Sequence, residues 1–276
     1  MGLFRKDYSR PGPGVGKDEP RKTGSARLRE VLVRDFSELV KFNLFYQMCI
    51  LPAQALLILA FLFLGSVWLF VFAALALAAC IPLGPAKTAL CFCIAKALRD
   101  DPGHAWHDFA KAFRSNFRLT AGPGVFYGLI LGAQIFAAMY LFQHPETGFV
   151  IAMLFWLVVI LTGTIAPYFF LQAGYLELSA QPLFKNSLVF FAGNLLRSLI
   201  GALFGSGIVV LLAVVTLISG FVTLPVVILL GYALPSLLCL FFIWPPVNAA
   251  YKIENTLRER DGLPPRTEQP QEKGSQ

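Results

Sequence analysis

The sequence predicts an all-α, polytopic membrane protein with six transmembrane helices and cytoplasmic amphipathic helices. Of its 276 residues, 57% are hydrophobic and 14% are charged, whereas an ordinary soluble domain is roughly 45–50% apolar and about 25% charged. Apolar runs of about 17–25 residues, long enough to cross a bilayer, recur along the chain. The six predicted spans cover residues 42–64, 67–83, 121–142, 148–170, 199–218 and 221–243.

Polar segments flank this membrane region. Residues 1–24 are rich in Pro, Gly and charge and are expected to form a disordered arm, because they hold too little apolar surface to fold alone. Residues 25–253 are predicted to form a single membrane domain, and residues 254–276 a polar tail. Ten Lys or Arg precede the first apolar run, so we expect no signal peptide and a first span that remains in the mature chain.

The basic residues predict the orientation. Ten of the 23 Lys and Arg precede the first span, and most of the others lie between residues 87 and 118 or after the last span. The connections near Gly65, His144 and Ser219 contain none. This alternation is the positive-inside pattern. It predicts a multi-pass protein of the cell membrane with both termini cytoplasmic, and its net charge of +7 faces anionic lipid of the bilayer instead of nucleic acid.

Two cytoplasmic segments have helical amphipathic patterns. One begins at Ser25, and the other covers residues 101–118, with Asp101 as the expected cap and Pro102 as the first helical residue. The second segment predicts an interfacial helix; alternatively, it packs on another part of the protein and has a solvated basic face. Its aromatic stripe is Trp106, Phe109, Phe113 and Phe117, and its polar stripe is His107, Lys111, Arg114 and Arg118. Candidate contacts with the interface or a partner are Lys87, Trp106, Phe109, Phe113, Arg114 and Arg118.

Glycines recur every four residues in two spans. Because glycine has no side chain, such a series lets two helix backbones approach closely. We predict packing between helices of this bundle; dimerisation is the alternative, and the sequence leaves the oligomeric state open. The glycines are Gly124, Gly128 and Gly132 in the third span and Gly201 and Gly205 in the fifth.

Lys87 stands inside an apolar run and has two interpretations. Pro82, Gly84 and Pro85 discourage a continuous helix, so the second span can end at Leu83 and leave Lys87 near the headgroups. This interpretation is favoured. In the alternative, Lys87 is buried in the bundle, where a lysine is a functional-site hypothesis. No carboxylate within the spans could pair with it, which argues against proton-coupled transport.

The sequence predicts no catalytic or cofactor site. The five cysteines lack the spacing of a metal or redox motif and are interpreted as packing residues. His104 and His107 lie beside Asp101 and Asp108, but no further ligand is spaced to complete a metal site. Neither a nucleophile with a base nor a sheltered carboxylate pair is visible, so we expect a protein that is not an enzyme.

Four stretches carry a family resemblance: "GPGVGKDEPRK", "VKFNLFYQMCILP", "IPLGPAKTAL" and "DFAKAFRSNFR". Together they resemble the YesL-like family of small bacterial integral membrane proteins, a domain of unknown function. The likeness covers the N-terminal arm through the third span, and it departs at "IPLGP", where family members often have Thr at the position of Leu83. No catalytic or binding residue follows from the resemblance.

The resemblance implies a function class. Family members are often encoded near sugar-uptake and glycan-degradation genes in Gram-positive bacteria. We therefore expect a non-enzymatic membrane protein that assists carbohydrate uptake, with the membrane subunits of an ABC-type permease as partners. The alternative is an independent small-solute transporter or channel.

Overall fold

The computed structural model describes residues 22–262, except residues 102, 145, 147 and 220–223, and the regular elements of that part are all α-helices. In chain order they are α1 (Gly24–Arg34), α2 (Phe36–Leu62), α3 (Val67–Ala79), α4 (Leu83–Leu98), α5 (Ala105–Ser115), α6 (Phe117–Gln143), α7 (Phe149–Ala173), α8 (Ala180–Gly193), α9 (Leu195–Ser219), α10 (Leu224–Leu230), α11 (Ala233–Tyr251) and α12 (Ile253–Arg260). The predicted arm before residue 22 lies outside the described residues.

The helices confirm an all-α polytopic membrane protein. α2, α6, α7 and α11 are each long and apolar enough to cross a membrane. Two bent pairs, α3 with α4 at 42° and α8 with the first part of α9 at 101°, raise the number of candidate spans from 4 to 6. Apolar side chains on the first half of α7 are exposed, among them Val150, Leu154 and Leu157. Such a helix surface suits contact with lipid.

The second and sixth predicted spans are both interrupted. α3 ends at Ala79 instead of residue 83, and α4 begins at Leu83 after a turn. Proline explains the break, because Pro82 and Pro85 have no amide hydrogen to donate; Pro85 lies in the first turn of α4, as predicted. The last span is divided between α10 and α11, and α11 continues beyond residue 243 to Tyr251.

α4 lies at the centre of the bundle. It packs against α2, α5, α6, α7 and α11. Small side chains such as Ala86, Ala89 and Ala95 let these neighbours approach, and Leu90 and Ile94 are fully buried among them. The core of the protein is thus built around α4, a helix that contains two of the charged residues of the apolar region, Lys87 and Lys96.

Two boundaries at the polar ends of the bundle differ from the prediction. α5 begins at Ala105, with His104 before it, so Asp101 does not cap this helix. The carboxylate of Asp101 instead accepts a hydrogen bond from Arg99 at 3.3 Å; Pro102 lies outside the described residues. The predicted polar tail, residues 254–276, is helical at its start, because α12 covers Ile253–Arg260; residues 263–276 lie outside the described part.

Candidate functional site

Lys87 points into the bundle. Its Nζ donates a hydrogen bond to Oγ of Ser236 on α11 at 2.9 Å and lies 5.8 Å from the ring centroid of Tyr46 on α2. Tyr46 and Ser236 are 3% and 6% exposed, and Lys87 itself is half-buried. The helix break before Lys87 agrees with the favoured interpretation. The direction of its side chain agrees with the alternative, because α2 and α11 supply a ring and a hydroxyl that can hold an ammonium group.

The described side chains that contact the Lys87 ammonium group are a hydroxyl, from Ser236, and an aromatic ring, from Tyr46. Among the residues that the structure describes, no Asp or Glu forms an ion pair with Lys87. We call Lys87, Tyr46 and Ser236 the Lys87 cluster.

A single side chain bridges the break between α10 and α11. Asn43 of α2 is completely buried; its amide nitrogen donates to the Ile228 carbonyl at 2.7 Å. Its Oδ1 accepts from the backbone amides of Tyr232 and Ala233 at 2.7 and 2.8 Å. Asn43 therefore caps the end of one helix and the start of the next, satisfying groups that a helix end leaves without a partner. We call these contacts the Asn43 clamp.

Further polar residues of α2 reinforce the Asn43 clamp. Gln47, one turn after Asn43, donates to the carbonyl of Val227 at 3.2 Å. Gln54 donates to the hydroxyl of Tyr232, whose ring lies 5.1 Å from that of Tyr46. Specific hydrogen bonds therefore hold the break between α10 and α11. The break also adjoins the Lys87 cluster, because Tyr46 belongs to the cluster and Ser236 lies in the first turn of α11.

Four of the five predicted packing glycines lie at helix contacts. A methyl group on Gly124 would lie 2.5 Å from Cα of Gly84, and one on Gly128 would lie 2.6 Å from Sγ of Cys80. In the same way, Gly201 and Gly205 of α9 meet the backbone of α11, at carbonyl distances of 3.2 and 3.1 Å. Gly132 differs, because a methyl group there would have no described neighbour within 4 Å. The close approach of α6 to α4 and to the turn before α4 therefore ends at Gly128.

Charged residues fasten α1 to the end of α4. Arg27 is 8% exposed and donates to the carbonyl of Leu98 at 2.9 Å and to Asp100 at 2.7 Å. Arg34 also contacts Asp100, which has a left-handed backbone with φ of 61°. The hydrogen bond to Asp35 raises the pKa of Arg34 above its ordinary value, burial lowers it, and Asp100 raises it again. We call Arg27, Arg34 and Asp100 the ionic latch.

α5 lies beside the ionic latch and has two different faces. Ala105, Phe109 and Ala112 are buried, with Phe109 only 2% exposed, which corresponds to the alternative of a packed helix with a solvated basic face. The opposite face is open: Trp106 is 63% exposed and rests on Phe45, with ring centroids 5.1 Å apart.

The open face of α5 is basic and slightly concave. Trp106, His107, Ala110, Lys111, Arg114 and Ser115 line a depression of about 480 Å³. Arg118, on the first turn of α6, is also exposed, whereas Phe113 is half-buried against Phe117. We call Trp106, Lys111 and Arg114 the α5 face.

A second groove, of about 390 Å³, lies on the other side of α5. It is bounded by α1, α2, α4 and α5 and is crossed by an ion pair of 2.9 Å between Lys96 and Asp108. His107 lies 3.6 Å from Asp108, but the described residues contain no group of three or more His, Cys, Asp or Glu side chains that could hold a metal ion.

Sequence reasoning did not find Asn43, Tyr46 or Ser236. Asn43 and Gln47 are polar, four residues apart and embedded in an apolar run, so they occupy one face of α2. That spacing was the available signal. Pro235 lies in the first turn of α11, as Pro85 does in α4, and was therefore the local signal for the break at Gly231 and Tyr232.

The fold and its bent helix pairs define a class, polytopic α-helical membrane proteins with interrupted spans. Comparison with protein families adds one match: a model described as "Protein of unknown function, DUF624" covers residues 61–138. That stretch includes α3, α4, α5 and most of α6. Neither the curated proteins nor the solved structures contain a match to this chain.

Proposed function

We propose that the protein is a non-enzymatic membrane component that binds a transport partner through the α5 face. The observation that carries this proposal is the two-sided packing of α5. Its buried side is fixed to α2 and α4, while Trp106 is exposed beside Lys111 and Arg114. Trp and Arg are enriched among the residues that dominate binding energy at protein interfaces, and the rigid attachment reduces the entropy lost on binding.

The polar groups of the bundle support a non-enzymatic role. The polar side chains with the most hydrogen bonds join helices to one another. Asn43 joins α2 to α10 and α11, and Gln172 of α7 donates to Ser187 of α8 at 3.2 Å. Tyr168 and Ser198 likewise join α7 to α9 at 3.0 Å. These side chains are engaged in packing instead of facing a common reaction centre.

The proposed setting is the cell membrane, with both termini and α5 in the cytoplasm. The positive-inside pattern supports this orientation. The matched family model and the four quoted stretches support a YesL-like protein, and with it an auxiliary role in carbohydrate uptake beside an ABC-type permease. A permease segment with acidic side chains would complement the α5 face.

Co-purification tests the partner. The full-length protein is isolated from native membranes in mild detergent, next to an unrelated six-span protein, and the associated proteins are identified by mass spectrometry. We expect enrichment of an ABC-type membrane subunit with the wild type. Recovery should fall at least about tenfold in the double variant Lys111→Glu/Arg114→Glu, because two charges are reversed at the contact.

The matched control is Lys185→Glu, a charge reversal at an exposed lysine of α8. It should recover as much partner as the wild type. No transport protein above the six-span control, or equal recovery with the double variant, would contradict the proposal.

A second candidate function is independent transport of a small solute. The interrupted spans favour it, since discontinuous helices with polar groups at the break commonly form substrate sites in transporters. Purified protein in liposomes should then move labelled monosaccharide or an ion faster than empty vesicles do. Equal rates would remove this candidate.

A further inference from the structure

The Lys87 cluster has more hydrogen-bond donors than acceptors. An ammonium group carries three N–H donors, and Lys87 makes one hydrogen bond, to Ser236. The Ser236 hydroxyl accepts that bond and still has its own proton to donate. Within the described part of the chain, the hydroxyl of Tyr46 is not matched to any hydrogen-bond partner.

The charge of Lys87 is likewise not neutralised by a described carboxylate. A cation inside a membrane bundle is costly and is normally paired. The Tyr46 ring offsets only part of this cost, because a cation–π contact supplies no opposite charge. Lys87 is half-buried instead of fully enclosed, so part of the residue stays accessible.

We propose that the Lys87 cluster binds an oxyanion, a phosphate or a phosphate ester, with Lys87 as its counter-charge. A phosphate presents several acceptor oxygens, and the cluster offers donors from α2, α4 and α11. Lysine is a common binder of phosphate as a point charge. This site is independent of docking at the α5 face, so each proposal stands or fails without the other.

The position of the cluster leaves two sources of the phosphate. Tyr46 lies four residues after residue 42, where the first span is predicted to begin, roughly 6 Å along α2 at about 1.5 Å per residue. A phospholipid headgroup at the membrane surface and a free phosphate ester from solution are both within reach of that depth. The experiment separates them.

The test uses purified, delipidated full-length protein in neutral detergent and measures its melting temperature. In one arm, phosphatidylglycerol is titrated against diacylglycerol with the same acyl chains. In the other, sodium phosphate is titrated against sodium chloride at equal ionic strength. We expect wild type and Lys185→Gln to be stabilised by the phosphate probe in at least one arm, and not by its matched control. Lys87→Arg should respond as the wild type does, because it keeps the charge.

Lys87→Gln should bind the probe about tenfold to a hundredfold more weakly, since it loses a charge-assisted hydrogen bond. Ser236→Ala, which keeps the charge, should bind about twofold to tenfold more weakly, and it decides the matter if Lys87→Gln does not accumulate. Stabilisation by phosphatidylglycerol alone identifies a lipid headgroup, and stabilisation by sodium phosphate identifies a soluble ligand. The proposal is overturned if neither phosphate probe stabilises the wild type or if the cluster variants respond as it does.

Discussion

At the scale of single residues, Asn43 is the side chain whose replacement should destabilise the fold most, because it makes all the hydrogen bonds of the Asn43 clamp. Asn43→Leu has a similar volume but leaves two amides and one carbonyl without partners in a buried place. Each buried group that loses its partner costs about 1–3 kcal/mol. We therefore expect the free energy of unfolding to fall by about 3–5 kcal/mol, measured by reversible unfolding in mixed detergent micelles.

Gln134→Leu is the matched control. Gln134 donates one interhelical hydrogen bond, to Thr162 at 3.0 Å, and Thr162 keeps its own bond to the Val158 carbonyl. Its loss should therefore cost about 1 kcal/mol or less. Equal effects of the two substitutions would show that the break does not depend on Asn43.

The ionic latch gives a second prediction at the residue scale. Arg27→Ala removes hydrogen bonds to Leu98 and Asp100 and leaves the Asp100 carboxylate with less compensation. We expect a loss of about 2–4 kcal/mol in the free energy of unfolding, near the lower part of the range for breaking a buried ion pair. Arg29→Ala, at an exposed position of the same helix, should change it by less than about 0.5 kcal/mol.

The sequence predicted one of these single-residue features and not another. The helix break before Lys87 follows from Pro82 and Pro85 alone, because proline acts locally. The direction of the Lys87 side chain does not, since Tyr46 and Ser236 lie far away in sequence and are brought together only by the packing of α2, α4 and α11.

At the scale of elements, the contact between α4 and α6 depends on two glycines. A methyl group on Gly84 would lie 1.9 Å from the Thr120 carbonyl and 2.8 Å from Cα of Gly124. Backbone atoms cannot rotate away, so Gly84→Ala must separate the helices. We expect a loss of about 1–3 kcal/mol in detergent unfolding measurements.

Gly132→Ala supplies the comparison on the same interhelical series. No described atom within 4 Å obstructs a methyl group there, and alanine has a higher helix propensity than glycine by about 1 kcal/mol. The variant should be as stable as the wild type or slightly more stable. A loss comparable to that of Gly84→Ala would contradict the assignment of the contact.

The elements also show where periodicity is informative. Long apolar runs located α2, α6 and α7 to within six residues at each end, because length and hydropathy decide membrane helices. The start of α5 was wrong because a capping residue competes with other partners: Asp101 pairs with Arg99, and the helix begins only at Ala105. Which face of α5 would be buried depended on α2 and α4 and could not be read from α5 alone.

At the scale of the whole molecule, the proposed orientation predicts a labelling pattern. Single cysteines are introduced at Ser9, Ser115 and Thr147 into a variant without its own five cysteines. In intact cells, a membrane-impermeant thiol reagent should label only position 147, because the positive-inside pattern leaves the other two positions in the cytoplasm. Permeabilised cells provide the control, in which Ser115→Cys, exposed at the end of α5, becomes reactive. Labelling of positions 9 or 115 in intact cells would reverse the orientation.

The whole-molecule architecture was predictable as a class and not as an arrangement. Composition and apolar runs are enough for an all-α polytopic protein, since few structures satisfy backbone hydrogen bonds in lipid. The central position of α4 was hidden, because its neighbours come from both ends of the chain. Because α4 contains Lys87 and Lys96, its sequence did not indicate a helix enclosed by others.

The Asn43 clamp also bears on how the protein is made. Asn43 and Gln47 enter the membrane with the first span, whereas Val227, Ile228 and Tyr232 are synthesised at least 180 residues later. During translation, these two side chains therefore remain without their final hydrogen-bond partners while the intervening helices insert. The region matched by the family model, residues 61–138, encloses α4 without α2, α7 or α11. The Asn43 clamp can thus form only after the C-terminal helices are made. The matched region by itself lacks most of the helices that pack against α4.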